Sequence, residues 1–162
     1  MELYFLRHGL AQDISETRGS SDERRALTSN GIRQVKKITL GMKKIGLSFD
    51  RIFSSPYTRA RETAEIVVQG IEKGKKIVVA DALVPEGHFG EFSELLKGFR
   101  GDQKVLFVGH QPSLGIFISK LLSGKEAMFI DVQKGGFCRV DLPAVRKGVR
   151  GELKWLLSPQ LF

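Results

Sequence analysis

Residues 2–9 read Glu2-Leu3-Tyr4-Phe5-Leu6-Arg7-His8-Gly9. The apolar run Leu3 to Leu6 predicts a buried strand. It breaks at once into an arginine, a histidine and a glycine. That places Arg7 and His8 at the carboxyl end of a first strand, where open α/β sheets bind their ligands. Arg7 brings a planar fork of donors that matches phosphate oxygens. His8 brings an imidazole that is neutral at most cellular pH values, and so a nucleophile or a base. A lone Arg-His-Gly triplet would equally suit a surface arginine beside a locally hydrogen-bonded histidine. The rest of the chain has to separate the two readings.

Outward from this strand, Gly9 to Thr28 is polar, with Gly19-Ser20-Ser21-Asp22 as a loop signal. Ile32, Val35, Ile38, Met42 and Ile45 then recur at spacings of three and four. They predict one face of an amphipathic helix, with caps among Thr28 to Asn30 and Gly46 as its stop. Arg51 to Ser54 is a second short strand, running into Ser55-Pro56. Ala60, Ala64, Val67 and Ile71 make a second helical face, and Lys76 to Val79 a third strand. A loop with Pro85 and Gly87 leads to a short helix through Glu94-Leu95-Leu96. Val105-Leu106-Phe107-Val108 is a continuous apolar strand of the kind buried on both faces. Pro112 suits the first turn of a following helix through Leu114, Ile118 and Leu122. Phe137 to Leu142 and Glu152 to Leu157 predict a terminal antiparallel pair. Strand–helix alternation implies an α/β fold: a three-layer α/β/α sandwich whose sheet is mainly parallel, with an antiparallel C-terminal edge.

The chain has 162 residues, 41% of them hydrophobic and 27% charged, which is ordinary for one globular domain spanning residues 1–162. No apolar run approaches the roughly 20 residues of a membrane-spanning helix, and the start lacks a secretory signal. A single cysteine, Cys138, excludes an intramolecular disulfide and suits a reducing compartment. A cytoplasmic monomer with no membrane partner is expected. The formal net charge of +8 favours acidic or phosphorylated partners. The basic residues are dispersed, however, without the long run of a nucleic-acid arm, so nucleic acid is not the expected ligand.

Three segments end strands or open helices with residues suited to phosphate: Arg7-His8-Gly9, Ser54 to Ala60, and Val108-Gly109-His110-Gln111-Pro112. If their strands are parallel neighbours, Arg7, His8, Arg59 and His110 converge at one edge of the sheet. Phosphoryl transfer asks for a nucleophile in line and for cationic donors that hold the oxygens as charge redistributes. His8 would supply the first; Arg7, Arg59 and His110 would supply the second. No cofactor is implied. The histidines His8, His88 and His110 lack short metal-ligand spacing, so no metal is expected either. Rival motifs fail on inspection. Ala144 stands where a cysteine-phosphatase loop would need arginine after Cys138, and Leu47-Ser48 follows the P-loop-like Gly41 to Gly46. Gln111 to Gly115 lacks the first glycine of a serine-hydrolase elbow.

On these motifs the chain resembles the histidine phosphatase (phosphoglycerate mutase-like) superfamily, and within it the small bacterial phosphohistidine phosphatases of the SixA type. The resemblance runs through Leu6 to Ala11, Asp22 to Thr28 leading to Gly31, Ser54 to Ala64, and Val108 to Leu114. It implies that His8 is the nucleophile and that Arg7, Arg59 and His110 bind phosphate. Leu10 stands where the mutase branch has an acid, and Ala11 where the acid-phosphatase branch has an arginine. Both departures point to the compact branch, whose short connections leave the site open to a phosphohistidine-bearing phosphotransfer protein. Relatives that cleave poor leaving groups use an acid from the loop after the third strand, where Pro85-Glu86-Gly87-His88 lies. Glu86 is therefore the candidate proton donor or a solvated loop carboxylate, and His88 a loop histidine. Two other functions stay open: a phosphatase for a sugar phosphate or nucleotide with the same mechanism, and a non-catalytic module binding phosphate or nucleic acid.

Overall fold

In the computed structural model, which describes residues 1–16, 21–71, 73–143 and 150–162, the apolar run becomes strand β1 (Glu2–Arg7). Lys104–Gly109 (β4) pairs with it in parallel, from Glu2 opposite Lys104 to Arg7 opposite Gly109. Arg51–Ser54 (β2) lies parallel on the other side of β4, and Ile77–Val79 (β3) parallel beyond it. Phe137–Asp141 (β5) and Glu152–Leu157 (β6) add an antiparallel edge next to β1. The order is β3-β2-β4-β1-β5-β6. The expected mainly parallel sheet with an antiparallel C-terminal edge is the one observed.

Helices α1 (Ser29–Lys44) and α2 (Thr58–Ile71) cover one face, α3 (Phe89–Lys97) and α4 (Ser113–Ser123) the other. The period of two along a strand decides which side chain meets which layer. Tyr4, Leu6, Leu106 and Val108 pack with Val35, Ile38, Ala60 and Val67. Leu3, Phe5, Val105 and Phe107 pack with Phe92, Leu96, Phe117 and Ile118. Strands buried on both faces read as unbroken apolar runs for this reason. Each such side chain contributes about 1.5–3 kcal/mol on burial. Cys138 is buried in β5, and Trp155 packs against Tyr4 and Phe137, as a terminal strand pair requires.

Two details depart from the periodicity. Val35, Ile38 and Met42 are buried in α1, but Ile32 and Ile45 are exposed. Gly31 takes the buried place in the first turn, because the Leu10 carbonyl lies where a β-carbon would project. Ile32 is rotated about 100° away from it, and Ile45 follows the last helical residue. Pro112 precedes α4 as its capping residue, after a cis peptide bond, rather than lying inside the first turn. The Pro143/Gly148 connection falls mainly on residues 144–149, outside the described residues. Among the described residues no helix is long and apolar enough to cross a membrane.

Candidate active site

Parallel pairing in register is what assembles the site. β1 ends at Arg7 beside Gly109 of β4, so His8 and His110 emerge side by side, with ring centroids 4.9 Å apart. β2 flanks β4 on its other side and delivers Ser55, then Arg59 in the first turn of α2. All four expected residues therefore meet at the carboxyl edge of the sheet, where their strands are neighbours.

His8 is fixed by its backbone as well as its ring. Its N–H donates to the Gly109 carbonyl at 3.0 Å, and its carbonyl accepts from the Gly135 N–H at 3.0 Å. The following Gly9 N–H donates to the Thr63 hydroxyl at 3.2 Å, and that hydroxyl donates to the Arg59 carbonyl at 2.7 Å. Thr63 thus ties the histidine loop to α2. The ring Nδ1 lies 2.7 Å from the Gly9 carbonyl, which only accepts, so Nδ1 carries the proton. Arg59 Nε–H, which only donates, lies 3.2 Å from His8 Nε2, so that nitrogen presents its lone pair. Two independent contacts assign one tautomer.

His8 is 5% exposed and His110 1% exposed. Burial, with the nearby Arg59 and Arg7 guanidinium groups, pushes the His8 pKa down to about 3 against the opposing pull of the Gly9 carbonyl. Burial and then the neighbouring His8, Arg59 and Arg7 lower His110 to about 2. Both imidazoles are therefore neutral at neutral pH. Arg7 donates through Nη1 to the Val132 carbonyl at 2.9 Å, with Asp131 at 4.0 Å. The His110 Nε2 lies 2.9 Å from the Ser55 hydroxyl. Among the described residues, the buried side-chain polar atoms without a partner are Arg7 Nε, His110 Nδ1 and Gln111 Oε1. All three belong to this edge of the sheet. Buried polar atoms are costly when unmet, and Arg7 Nε is a donor of the kind an oxyanion uses.

Glu86 is exposed and sits at the rim. Its charge acts on the phenol of Tyr57, whose pKa is raised by burial and then by Glu86, Glu23 and Asp22. Tyr57 meets the His110 ring edge-on at 5.1 Å, with the Arg59 guanidinium 5.1 Å over its ring. His88 is an exposed residue preceding α3, and Arg61 pairs with Glu65 on the surface of α2 at 3.8 Å. Neither joins the site. The sequence motifs single out no role for Asp22 and Arg25, which lie within Asp22 to Thr28, or for Ser55, Tyr57 and Thr63. Ser55, Tyr57 and Thr63 lie within the Ser54 to Ala64 motif, whose spacing marks them but not their partners. Among the described residues no group of three or more His, Cys, Asp or Glu side chains is arranged to hold a metal.

Residues 3–97 match the model of the histidine phosphatase superfamily (branch 1). An uncharacterized protein of Picosynechococcus is 34% identical over 99% of this chain and 98% of its own. The phosphohistidine phosphatase SixA of Escherichia coli is 26% identical over 98% of this chain and 94% of its own. A solved structure of the protein histidine phosphatase SixA complexed with tungstate superposes with a TM-score of 0.81 at 27% identity, covering 99% of both chains.

Proposed function

We propose, from the premise that this chain belongs to the histidine phosphatase superfamily and to its SixA type, that it removes phosphoryl groups from histidine side chains of a partner protein. Superfamily membership together with the SixA relatives makes it a hydrolase of phosphoryl groups; the carrier and the residue roles are this proposal. In the first step His8 Nε2 attacks phosphorus, a new N–P bond forms, and the bond from phosphorus to the substrate nitrogen breaks. The leaving imidazole takes a proton from solvent or from the rim. In the second step water attacks phosphorus, the His8 N–P bond breaks, and inorganic phosphate leaves with His8 restored. Arg7, Arg59 and His110 hold the oxygens while charge moves. The Gly9 carbonyl on Nδ1–H steadies the positive charge that builds on the phosphorylated ring. Two fixed guanidinium charges do the work a metal ion does elsewhere, so the reaction is expected to run in EDTA.

The observation that carries this reading is the tautomer: a neutral imidazole, lone pair presented, beside Arg59 and His110. The carrier is supported by the SixA relatives, a phosphohistidine phosphatase and a protein histidine phosphatase. Two measurements test it. Rapid quenching at alkaline pH should trap an acid-labile phosphoenzyme in wild type and none in His8→Ala. A panel of phosphohistidine phosphotransfer domains should be turned over with higher kcat/KM than sugar phosphates, nucleotides or phosphoserine peptides. A metabolite favoured by orders of magnitude would move the substrate to small molecules while leaving His8 in place. Full activity in His8→Ala would remove the mechanism.

A further inference from the structure

Asp22 stands in the polar segment between β1 and α1, at the head of the short 3-10 turn Asp22–Arg24. It engages Arg59 twice. Arg59 Nη1 donates to the Asp22 carbonyl at 2.6 Å, and Nη2 donates to the carboxylate Oδ2 at 2.9 Å. The other oxygen, Oδ1, accepts from Arg25 Nη1 at 2.7 Å. Arg25 is anchored in turn through Nε on the Gln12 carbonyl at 2.6 Å. Burial alone would raise the Asp22 carboxyl, but the hydrogen bonds and charges of Arg25 and Arg59 together hold it below its ordinary pKa.

A guanidinium is a rigid plane with five N–H donors. Asp22 takes one hydrogen from each terminal nitrogen of Arg59. The Nε–H points to the nucleophile, His8 Nε2, at 3.2 Å. With two donors gripped by Asp22, the plane cannot turn about the end of its side chain, and the Nε–H edge is kept on the His8 side. Arg59 lies on α2 and His8 on the loop after β1, so their mutual geometry depends on a third group that fixes the fork. Asp22 is 39% exposed in its side chain, so it is not needed to fill the core.

We propose that Asp22 is a positioning residue: its carboxylate and carbonyl fix the plane of the Arg59 guanidinium so that its Nε–H edge faces the phosphoryl group on His8. Arg25 completes the device by holding the far oxygen of the same carboxylate. The inference rests on the assignment of His8 and Arg59 above but not on the identity of the carrier. It is therefore read with p-nitrophenyl phosphate, orthovanadate and inorganic phosphate rather than with a phosphoprotein.

The experiment compares Asp22→Asn, Arg59→Lys and the double variant, following kcat and KM for p-nitrophenyl phosphate and the Kd of the two oxyanions. Asp22→Asn should lower kcat by roughly tenfold to a hundredfold, the cost of misplacing a preorganised group, with KM changed far less. Affinity for orthovanadate, which mimics the five-coordinate phosphorus, should fall by a similar factor while affinity for inorganic phosphate barely moves. The thermal midpoint should stay put. In the Arg59→Lys background Asp22→Asn should add nothing, because lysine has no fork to align. The proposal is overturned by an unchanged kcat, by an equal loss in both backgrounds, or by a loss that tracks a lowered thermal midpoint. A rise in affinity for both oxyanions would also overturn it, since Asp22 would then be competing with phosphate. Loss of phosphoprotein turnover alone, with these results intact, would count against the carrier and not against Asp22.

Discussion

Burial keeps His8 and His110 uncharged, each with a single ring proton, at pKa values near 3 and near 2 against an ordinary 6.5. The unfolded chain binds protons on these groups as pH falls through 6.5, and the folded chain does not. Stability is therefore full above about pH 6.5 and declines as pH drops toward the folded values. The slope approaches about 1.4 kcal/mol per pH unit for each histidine. Urea midpoints measured from pH 7 to pH 5 should fall in wild type and fall less steeply in His110→Gln; equal slopes would contradict the assignment. An alkoxide needs a proton to leave, whereas imidazole leaves readily. Glu86→Gln should slow cleavage of alkyl phosphate esters strongly and of phosphohistidine little, and equal effects on both would make it a rim carboxylate only. Arg7, His8, Arg59 and His110 were legible because each sits next to a strand or helix signal. Asp22 lies in the Asp22 to Thr28 stretch that carries part of the resemblance, but its role was not legible, because a polar loop of twenty residues gives no sign of which carboxylate turns inward.

The elements were legible for a different reason. Apolar runs and three-four spacing report burial directly, so the six strands and four α-helices of the described residues fall where the pattern puts them, within a residue or two except at the start of α3. Close backbone approach leaves no such mark. Gly31 illustrates it: α1 is capped by the Thr28 hydroxyl, which accepts from the Gly31 N–H at 3.0 Å, and the Leu10 carbonyl presses on the same residue. Alanine in a helix is normally better than glycine by about 1 kcal/mol. Here the new methyl meets backbone, which cannot swing aside as a side chain can, so the clash outweighs the gain. Gly31→Ala should destabilise the protein by about 1–3 kcal/mol. It should also lower kcat, because Leu10 follows the loop that carries His8. Urea unfolding together with turnover checks both, and a more stable, fully active variant would refute the argument.

At the scale of the molecule, the net charge of +8 contrasts with the carboxylates of Asp22, Glu23 and Glu86 gathered about Tyr57 at the site. The basic surface should draw an acidic phosphoprotein by long-range attraction, which salt screens. Raising ionic strength should reduce kcat/KM for such a substrate severalfold and hardly change it for p-nitrophenyl phosphate; parallel losses would assign the salt effect to the pocket.

The strand order also carries a consequence for the newly made chain. β4 lies between β1 and β2, yet it is the last of the parallel strands to be synthesised. A nascent polypeptide that has emerged only as far as Lys97 holds β1 and β2 with the strand between them missing, a separation of about 10 Å in the finished sheet. His8 and Arg59 then have no common scaffold, and His110 does not yet exist. Closing the gap requires Glu2 to find Lys104, a pairing of distant segments of the kind that slows folding. Turnover should thus reappear once β4 has paired with β1 and β2 and not before, which makes the return of enzymatic activity a clock for that pairing.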